Sequence, residues 1–398
     1  MNTTGSTCSI YYWLPETLKP SIAVFSVIDL STFQKTRCKQ VLELLRRDKV
    51  DVLLLFPGAN IAYYTGFPIG MSERLAAAVI PVDGEPFFVV NKLEGELRGL
   101  EPWFKWVEIW DEHEDPVKLL ADKLSMAGYS EGRLGIPVEA PWGWVNGLKE
   151  LMPDAELVDV GMHLGYVRMV KTDDEINLME KACSISDQAM EEAFAQLHTD
   201  MTERELQTLM VNGMQKRGAS RAFAGVLFGE RAALPHGSAG DRKLKPGEFV
   251  LVDMGGLYKG YWSDCTRTVF YGDEPTVRQR EIYETVLEAN RASLTETRPG
   301  VTCESIDVAA RRVIADAGFG QYFIHRLGHG LGMEIHEHPY MVRNNLQKLE
   351  PNMVFTDEPG IYIVGEIGVR VEDSVVCTET GGRELTHFPR DLRIYPVK

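Results

Sequence analysis

The sequence predicts an α/β chain of two units. A mixed α/β domain is expected over residues 1–165. An α+β domain of helices and antiparallel hairpins is expected over residues 166–398. Three observations predict this. Strand-like apolar runs alternate with helical stretches through the first half. The run Thr172-Asp173-Asp174-Glu175 is a capping box that opens a new helix. Beyond it, acids end or interrupt apolar runs that are joined by turn residues.

In order, residues 32–47 read as a helix and DVLLLF as a buried strand. AAAVIPV and PFFVVN bracket the turn DGE. VEIWDE, a helix over 116–127 and the strand GRLGIPVE follow. A short helix over 144–152 leads to AELVDVG. No Gly-rich phosphate loop and no catalytic constellation is found in this half. After the capping box, Ile176, Met179, Ala182 and Ile185 form one helical stripe. Further helices are expected over 202–216, 275–295 and 303–317, with no visible internal repeat.

The length of 398 residues allows two to three domains. A net charge of -16 disfavours nucleic acid and anionic membranes as partners. Cysteines 8, 38, 183, 265, 303 and 377 are scattered without a CxxC pair, which points to a reducing, cytoplasmic setting. No apolar run approaches a membrane span, and no signal peptide is expected. The aromatic-rich residues 9–30 are expected to pack on the protein or on a partner subunit.

Five residues carry the chemistry: Asp253, Asp264, His329, Glu358 and Glu372. They lie in FVLVDMGG, WSDCTRTVF, RLGHGLGMEIHEHP, VFTDEPGIY and GVRVEDSVV. An ionised carboxylate in an apolar run costs several kcal/mol, roughly, unless a positive group meets it. No Lys sits inside these runs, and only Arg267 and Arg370 are near. Two divalent cations would cancel the charge of the four acids. Residues 249–254 and 262–270 read as a hairpin. A turn centred on Tyr258 and Lys259 would place Asp253 directly opposite Asp264, where like charges repel. His329 lies between two glycines, which allow close backbone approach or positive φ. Glu358 and Glu372 are separated by PGIYIVGEIGVRV, two strands joined by a bend. Taken singly, each acid could be a solvated strand residue. Together they form an O/N set without thiolate, which suits Mn, Fe, Co or Zn better than a structural zinc site.

This ordered set, with its motifs, resembles the creatinase, aminopeptidase P and prolidase family from Arg168 to the C-terminus. Residues 32–165 resemble, more faintly, that family's N-terminal domain. The resemblance implies a creatinase-like domain in front of a pita-bread catalytic domain built on antiparallel sheet. It implies that all five residues ligate two divalent metals, with Asp264 and Glu372 bridging. Asp253 would complete one site, and His329 with Glu358 the other. Manganese is the expected metal, with cobalt, zinc or iron as alternatives. A shared water held as hydroxide would attack a peptide carbonyl. Glu358 would move the proton to the leaving nitrogen, and His336 would donate to the oxyanion.

Three histidines stand where the family keeps substrate-binding ones: His236 in ALPHGSAG, His325 in IHRLGHG and His336 in MEIHEHP. Arg370 shares a strand face with Glu372 and is expected to steady it or to touch substrate. His113, His163, His198 and His387 are left unassigned. The resemblance implies a small peptide substrate with a free N-terminus and proline second. An X-Pro bond has no N–H, so a site that grips the carbonyl and the amino terminus loses nothing. Phe223, Phe228 and Tyr340 are candidates to line the proline pocket. Tyr340 stands where some prolidases carry an arginine suited to a dipeptide's carboxylate, which argues against strict dipeptide specificity. The GHGLGMEIHEHP segment and the compact size favour an Xaa-Pro dipeptidase over aminopeptidase P. A creatinase-like amidinohydrolase, a metal-dependent lyase and a non-catalytic binding module are the competing classes. The complete ligand set argues against the first and the last. The long N-terminal half argues against a methionine aminopeptidase. A homodimer is expected from the resemblance and from a Trp-rich first half with no chemistry of its own.

Overall fold

The computed structural model describes residues 30–94, 106–235 and 237–398. The aromatic-rich stretch lies outside the described residues, apart from the backbone of Leu30. Among the described residues, no helix is long and apolar enough to cross a membrane.

The first half is a six-stranded mixed sheet, ordered β4-β3-β2-β1-β5-β6. Its strands are β1 (Val52–Leu55), β2 (Ala77–Pro81), β3 (Phe87–Asn91), β4 (Trp106–Trp110), β5 (Arg133–Ile136) and β6 (Glu156–Asp159). The strands read as continuous apolar runs because both faces are covered. Leu53, Leu55, Ala78 and Ile80 pack under α1 (Leu30–Arg47), α2 (Ala59–Thr65) and α5 (Gly161–Met169). Val52, Leu54, Ala77 and Val79 pack under α3 (Pro116–Met126) and α4 (Trp142–Leu151). Helices α2 and α5 were not expected. α2 buries Asn60, Ile61, Tyr63, Tyr64 and Thr65, so it shows little of the polar face that marks a helix in sequence.

The second half opens with α6 (Asp173–Phe194) and α7 (Glu203–Lys216). Thr172 and Thr202 both close capping boxes, each hydroxyl accepting the N–H three residues on. This pair backs a sheet ordered β18-β10-β8-β7, with β9 on β8. Its strands are β7 (Arg221–Phe228), β8 (Glu248–Tyr258), β9 (Tyr261–Trp262), β10 (Cys265–Tyr271) and β18 (Ile394–Tyr395). A second pair, α8 (Val277–Glu296) and α9 (Cys303–Asp316), backs a sheet ordered β12-β11-β13-β16-β17. That sheet holds β11 (Gly328–Gly330), β12 (Glu337–Met341), β13 (Val354–Asp357), β16 (Asp373–Thr378) and β17 (Gly381–Glu384). A ribbon of β14 (Gly360–Ile363) and β15 (Ile367–Arg370) joins the two. The helix-pair-on-sheet plan thus occurs twice, although no sequence repeat announces it.

Buried ion pairs tie the halves together. Arg37 of α1 meets Glu175 of α6 at 2.7 Å. Glu337 of β12 meets Arg168 of α5 and, at 2.8 Å, Lys171.

Candidate metal centre

β8 carries the first acid. Val250, Val252 and Met254 enter the core beneath α6 and α7, so Asp253 points to the opposite face. The turn that follows is Lys259-Gly260, with φ of 47° and 84°. Positive φ at both positions is what a two-residue type I′ hairpin needs. Tyr258 therefore pairs with Tyr261, and Asp253 pairs with Thr266 rather than with Asp264. The expected register is off by two residues. A two-residue slip preserves parity, so Asp264 and Thr266 still belong to the face of Asp253. The ladder breaks at Ser263 and Asp264, between β9 and β10. The Ser374 hydroxyl donates to the Asp264 carbonyl at 2.8 Å and fixes that break.

The same parity corrects one pocket candidate. Phe228 pairs with Val250 and is fully buried on the helix side, out of reach of a substrate. Phe223 pairs with Gly255 on the face of Asp253 and packs on Trp262, with ring centroids 6.1 Å apart.

His329 sits in β11, squeezed between β12 and β13. A Cβ at Gly328 would strike the Thr356 carbonyl, and one at Gly330 would strike the His338 carbonyl. Neither glycine has positive φ. Close approach of backbones is therefore the reason for both. The His329 N–H donates to the Thr356 hydroxyl at 3.1 Å, and the ring Nδ1 donates to the Gly330 carbonyl at 3.1 Å. β13 ends at Asp357, and Glu358 leaves the ladder with its N–H on the Leu327 carbonyl at 2.9 Å. Glu372 falls between β15 and β16. Its N–H donates to the Thr266 carbonyl at 3.0 Å, and its carboxylate accepts from the Thr266 hydroxyl at 2.6 Å.

These placements converge. Donor atoms of Asp264, His329 and Glu372, all buried, lie within 4.8 Å of one another. The His329 Nε2 is 3.7 Å from Asp264 Oδ2 and 3.4 Å from Glu358 Oε1. Asp253, on the rim, is held by Arg370 at 2.6 Å. Arg370, expected to steady Glu372 or to touch substrate, forms an ion pair with Glu372 at 4.0 Å. It also reaches Asp253, the Tyr362 hydroxyl and the Thr266 hydroxyl, the last two at 2.9 Å.

Burial, then repulsion from Glu372, Asp253 and Glu358, holds the Asp264 carboxyl well above its ordinary range. Burial, then Glu358 and Asp253, does the same to Glu372. Burial pushes Glu358 up to about 7 against the pull of Arg370. Burial, helped by His336, pushes His329 down to about 3, so its ring is neutral. With Nδ1 donating to a carbonyl, the Nε2 lone pair faces two carboxylates. Acceptors aimed at acceptors repel unless a cation lies among them, and this O/N set fits divalent cations. A carbonyl on the far ring nitrogen is the usual support of a metal-binding histidine.

The remaining candidates are scattered around this cluster. His336 is exposed, with its ring 4.1 Å from that of His329. His325 is hydrogen-bonded to the Tyr362 hydroxyl at 3.0 Å. Tyr340 pairs with His329 across the ladder. His236 lies outside the described residues. Four neighbours escaped the sequence reading: Thr266, Thr356, Tyr362 and Arg326. Thr266 and Thr356 each lie two residues from a candidate ligand, a spacing that could have flagged them. Tyr362 and Arg326 carried no comparable signal.

The chain matches the model of metallopeptidase family M24 over residues 177–379 and that of the creatinase/prolidase N-terminal domain over residues 37–170. It is 35% identical to the Xaa-Pro dipeptidase of Pyrococcus horikoshii over 359 residues, covering 89% of this chain and 98% of the relative. It superimposes on the dipeptidase PepE of Mycobacterium ulcerans with a TM-score of 0.87 and 33% identity, covering 93% of this chain and 100% of the other. A recombinant prolidase from Thermococcus sibiricus gives a TM-score of 0.86 at 33% identity, covering 91% and 99%. With acids from one sheet and a histidine from the next converging behind a creatinase-type N-terminal domain, the chain belongs to metallopeptidase family M24.

Proposed function

We propose that the protein hydrolyses the Xaa-Pro bond of dipeptides. The observation that carries this is the joint one: Asp264, His329 and Glu372 cluster with Glu358 beside His329 and Asp253 at the rim, in a chain that covers nearly the whole of a relative named Xaa-Pro dipeptidase. Asp253, Asp264, His329, Glu358 and Glu372 would hold two divalent cations, manganese being the first choice. Bound there, the cations would polarise the scissile carbonyl and acidify a water.

The chain's own groups do the rest. Glu358 takes a proton from the attacking water and delivers it to the proline nitrogen as that bond breaks. His336, at the exposed edge of His329, donates to the carbonyl oxygen as negative charge builds there. Arg370 positions Asp253 and does not need to touch substrate. His236 is assigned to the substrate's proline side, and His325 braces Tyr362. Because the imide nitrogen carries no hydrogen, a proline residue costs this site no contact.

A second copy of this chain is the proposed partner, and the cytosol the proposed location. Five free, buried cysteines among the described residues suit a reducing compartment. Light scattering that gives a monomer mass at assay concentration would count against the dimer. The activity is tested by incubating metal-loaded protein with Ala-Pro, Ala-Pro-Ala, Met-Ala-Ala and creatine. Ala-Pro should be cleaved fastest. Faster cleavage of Ala-Pro-Ala would make the protein an aminopeptidase instead.

A further inference from the structure

We propose that Arg326, stacked on Tyr340, captures the C-terminal carboxylate of the substrate. This deepens the dipeptidase reading and rests on it. A dipeptide's carboxylate lies one residue beyond the scissile bond. Buried without a partner, it would carry the full desolvation penalty of a charged group.

The cations around the centre are mostly committed. Arg370 is spent on Asp253, Tyr362 and Thr266. Arg168 and Lys171 are spent on Glu337. Arg326 differs. Its guanidinium carbon lies 4.4 Å from the centre of the Tyr340 ring. Its guanidinium makes no ion pair or hydrogen bond among the described residues, although the residue is half-buried and its carbonyl accepts from the His325 ring at 2.7 Å. Tyr340 stands directly across the ladder from His329, so the two side chains share a face.

The stacking has a consequence for recognition. A ring holds a guanidinium by its flat face. The N–H donors lie at the edge and stay free for a bidentate grip on a carboxylate. Tyr340 therefore does not leave the proline side of the site without a cation. It orients one supplied by the segment that leads into β11. A bland alternative exists, in which Arg326 only rivets that segment to β12. The two differ in what they do to a neutral substrate.

The test compares wild type, Arg326→Met, Arg326→Lys and Tyr340→Leu, all metal-loaded, on Ala-Pro and on Ala-Pro amide. Arg326→Met should lose about a hundredfold in kcat/KM on Ala-Pro, chiefly through KM, as expected for a lost charge-assisted hydrogen bond. Its loss on the amide should stay within about threefold, since the amide keeps the ring and lacks the charge. Arg326→Lys should recover part of the loss. Competitive inhibition gives a second readout. Free proline should bind wild type more tightly than prolinamide, and Arg326→Met should erase that difference. Equal losses on both substrates, or an unchanged preference for proline over prolinamide, would overturn the assignment. Wild type that cleaves neither substrate would instead overturn the dipeptidase reading, and this proposal with it.

Discussion

Asp264→Asn and Glu372→Gln are each expected to lower Ala-Pro hydrolysis by about a thousandfold or more, with the fold retained. Cation binding at such a centre supplies several kcal/mol of transition-state stabilisation, and each 1.4 kcal/mol, roughly, is a factor of ten in rate. The fold should survive because these acids are a liability without the cation. Burial and mutual repulsion already push both carboxyls toward the neutral form. A neutral isostere removes that repulsion, and Gln can still accept the Thr266 hydroxyl. Cation-free variants should therefore melt at or above the wild-type temperature. They should also lose the rise in melting temperature that added divalent cation gives wild type. Undiminished hydrolysis in both variants would sink the assignment of these two ligands.

Glu337→Ala should destabilise the protein by about 3 kcal/mol or more. Glu337 is buried between Arg168 and Lys171, which are 5% and 2% exposed. Attraction to those two cations outweighs the burial penalty and holds its carboxyl below the ordinary range. Removing it leaves Lys171 as a buried charge without its carboxylate. Arg168 retains half-exposed Glu334, at 2.8 Å, as its carboxylate partner, and the Asn60 side-chain oxygen at 3.0 Å. The sign follows from the depressed carboxyl. Stability from Glu337 is present at neutral pH and is lost as pH falls through its folded-state value. The difference between wild type and Glu337→Ala should thus shrink in acid. Chemical denaturation at neutral and acidic pH measures both effects. A change under about 1 kcal/mol at neutral pH would show that the network does not hold the halves together. Because His336 is the adjacent residue, the variant should also lose activity.

Much of the centre was legible because local chemistry marks it. Carboxylates in apolar runs demand a partner wherever the chain goes, and the Thr172–Glu175 capping box announced α6. The hairpin shows the limit. The tripeptide Lys-Gly-Tyr placed the turn one position later than expected, since Lys259 accepts positive φ beside Gly260. The facing of Asp253 and Asp264 survived only because the slip was even. Arg370 was legible only in part, for a different reason. Its nearest acid in sequence is Glu372, yet its main partner, Asp253, lies 117 residues away on β8. Sequence distance carries no record of such a pairing. The partners of Arg326 and Tyr362 were hidden in the same way, since each is set by how β11, β12 and β14 meet. Helix α2 was invisible because its polar groups are buried, so it has no wet face to give it a period.

The most direct test is a titration of divalent cation into chelator-stripped protein, following Ala-Pro cleavage. The account predicts a silent stripped protein whose rate climbs with added manganese and saturates near two equivalents per chain. Full cleavage of Ala-Pro by the stripped protein would contradict it.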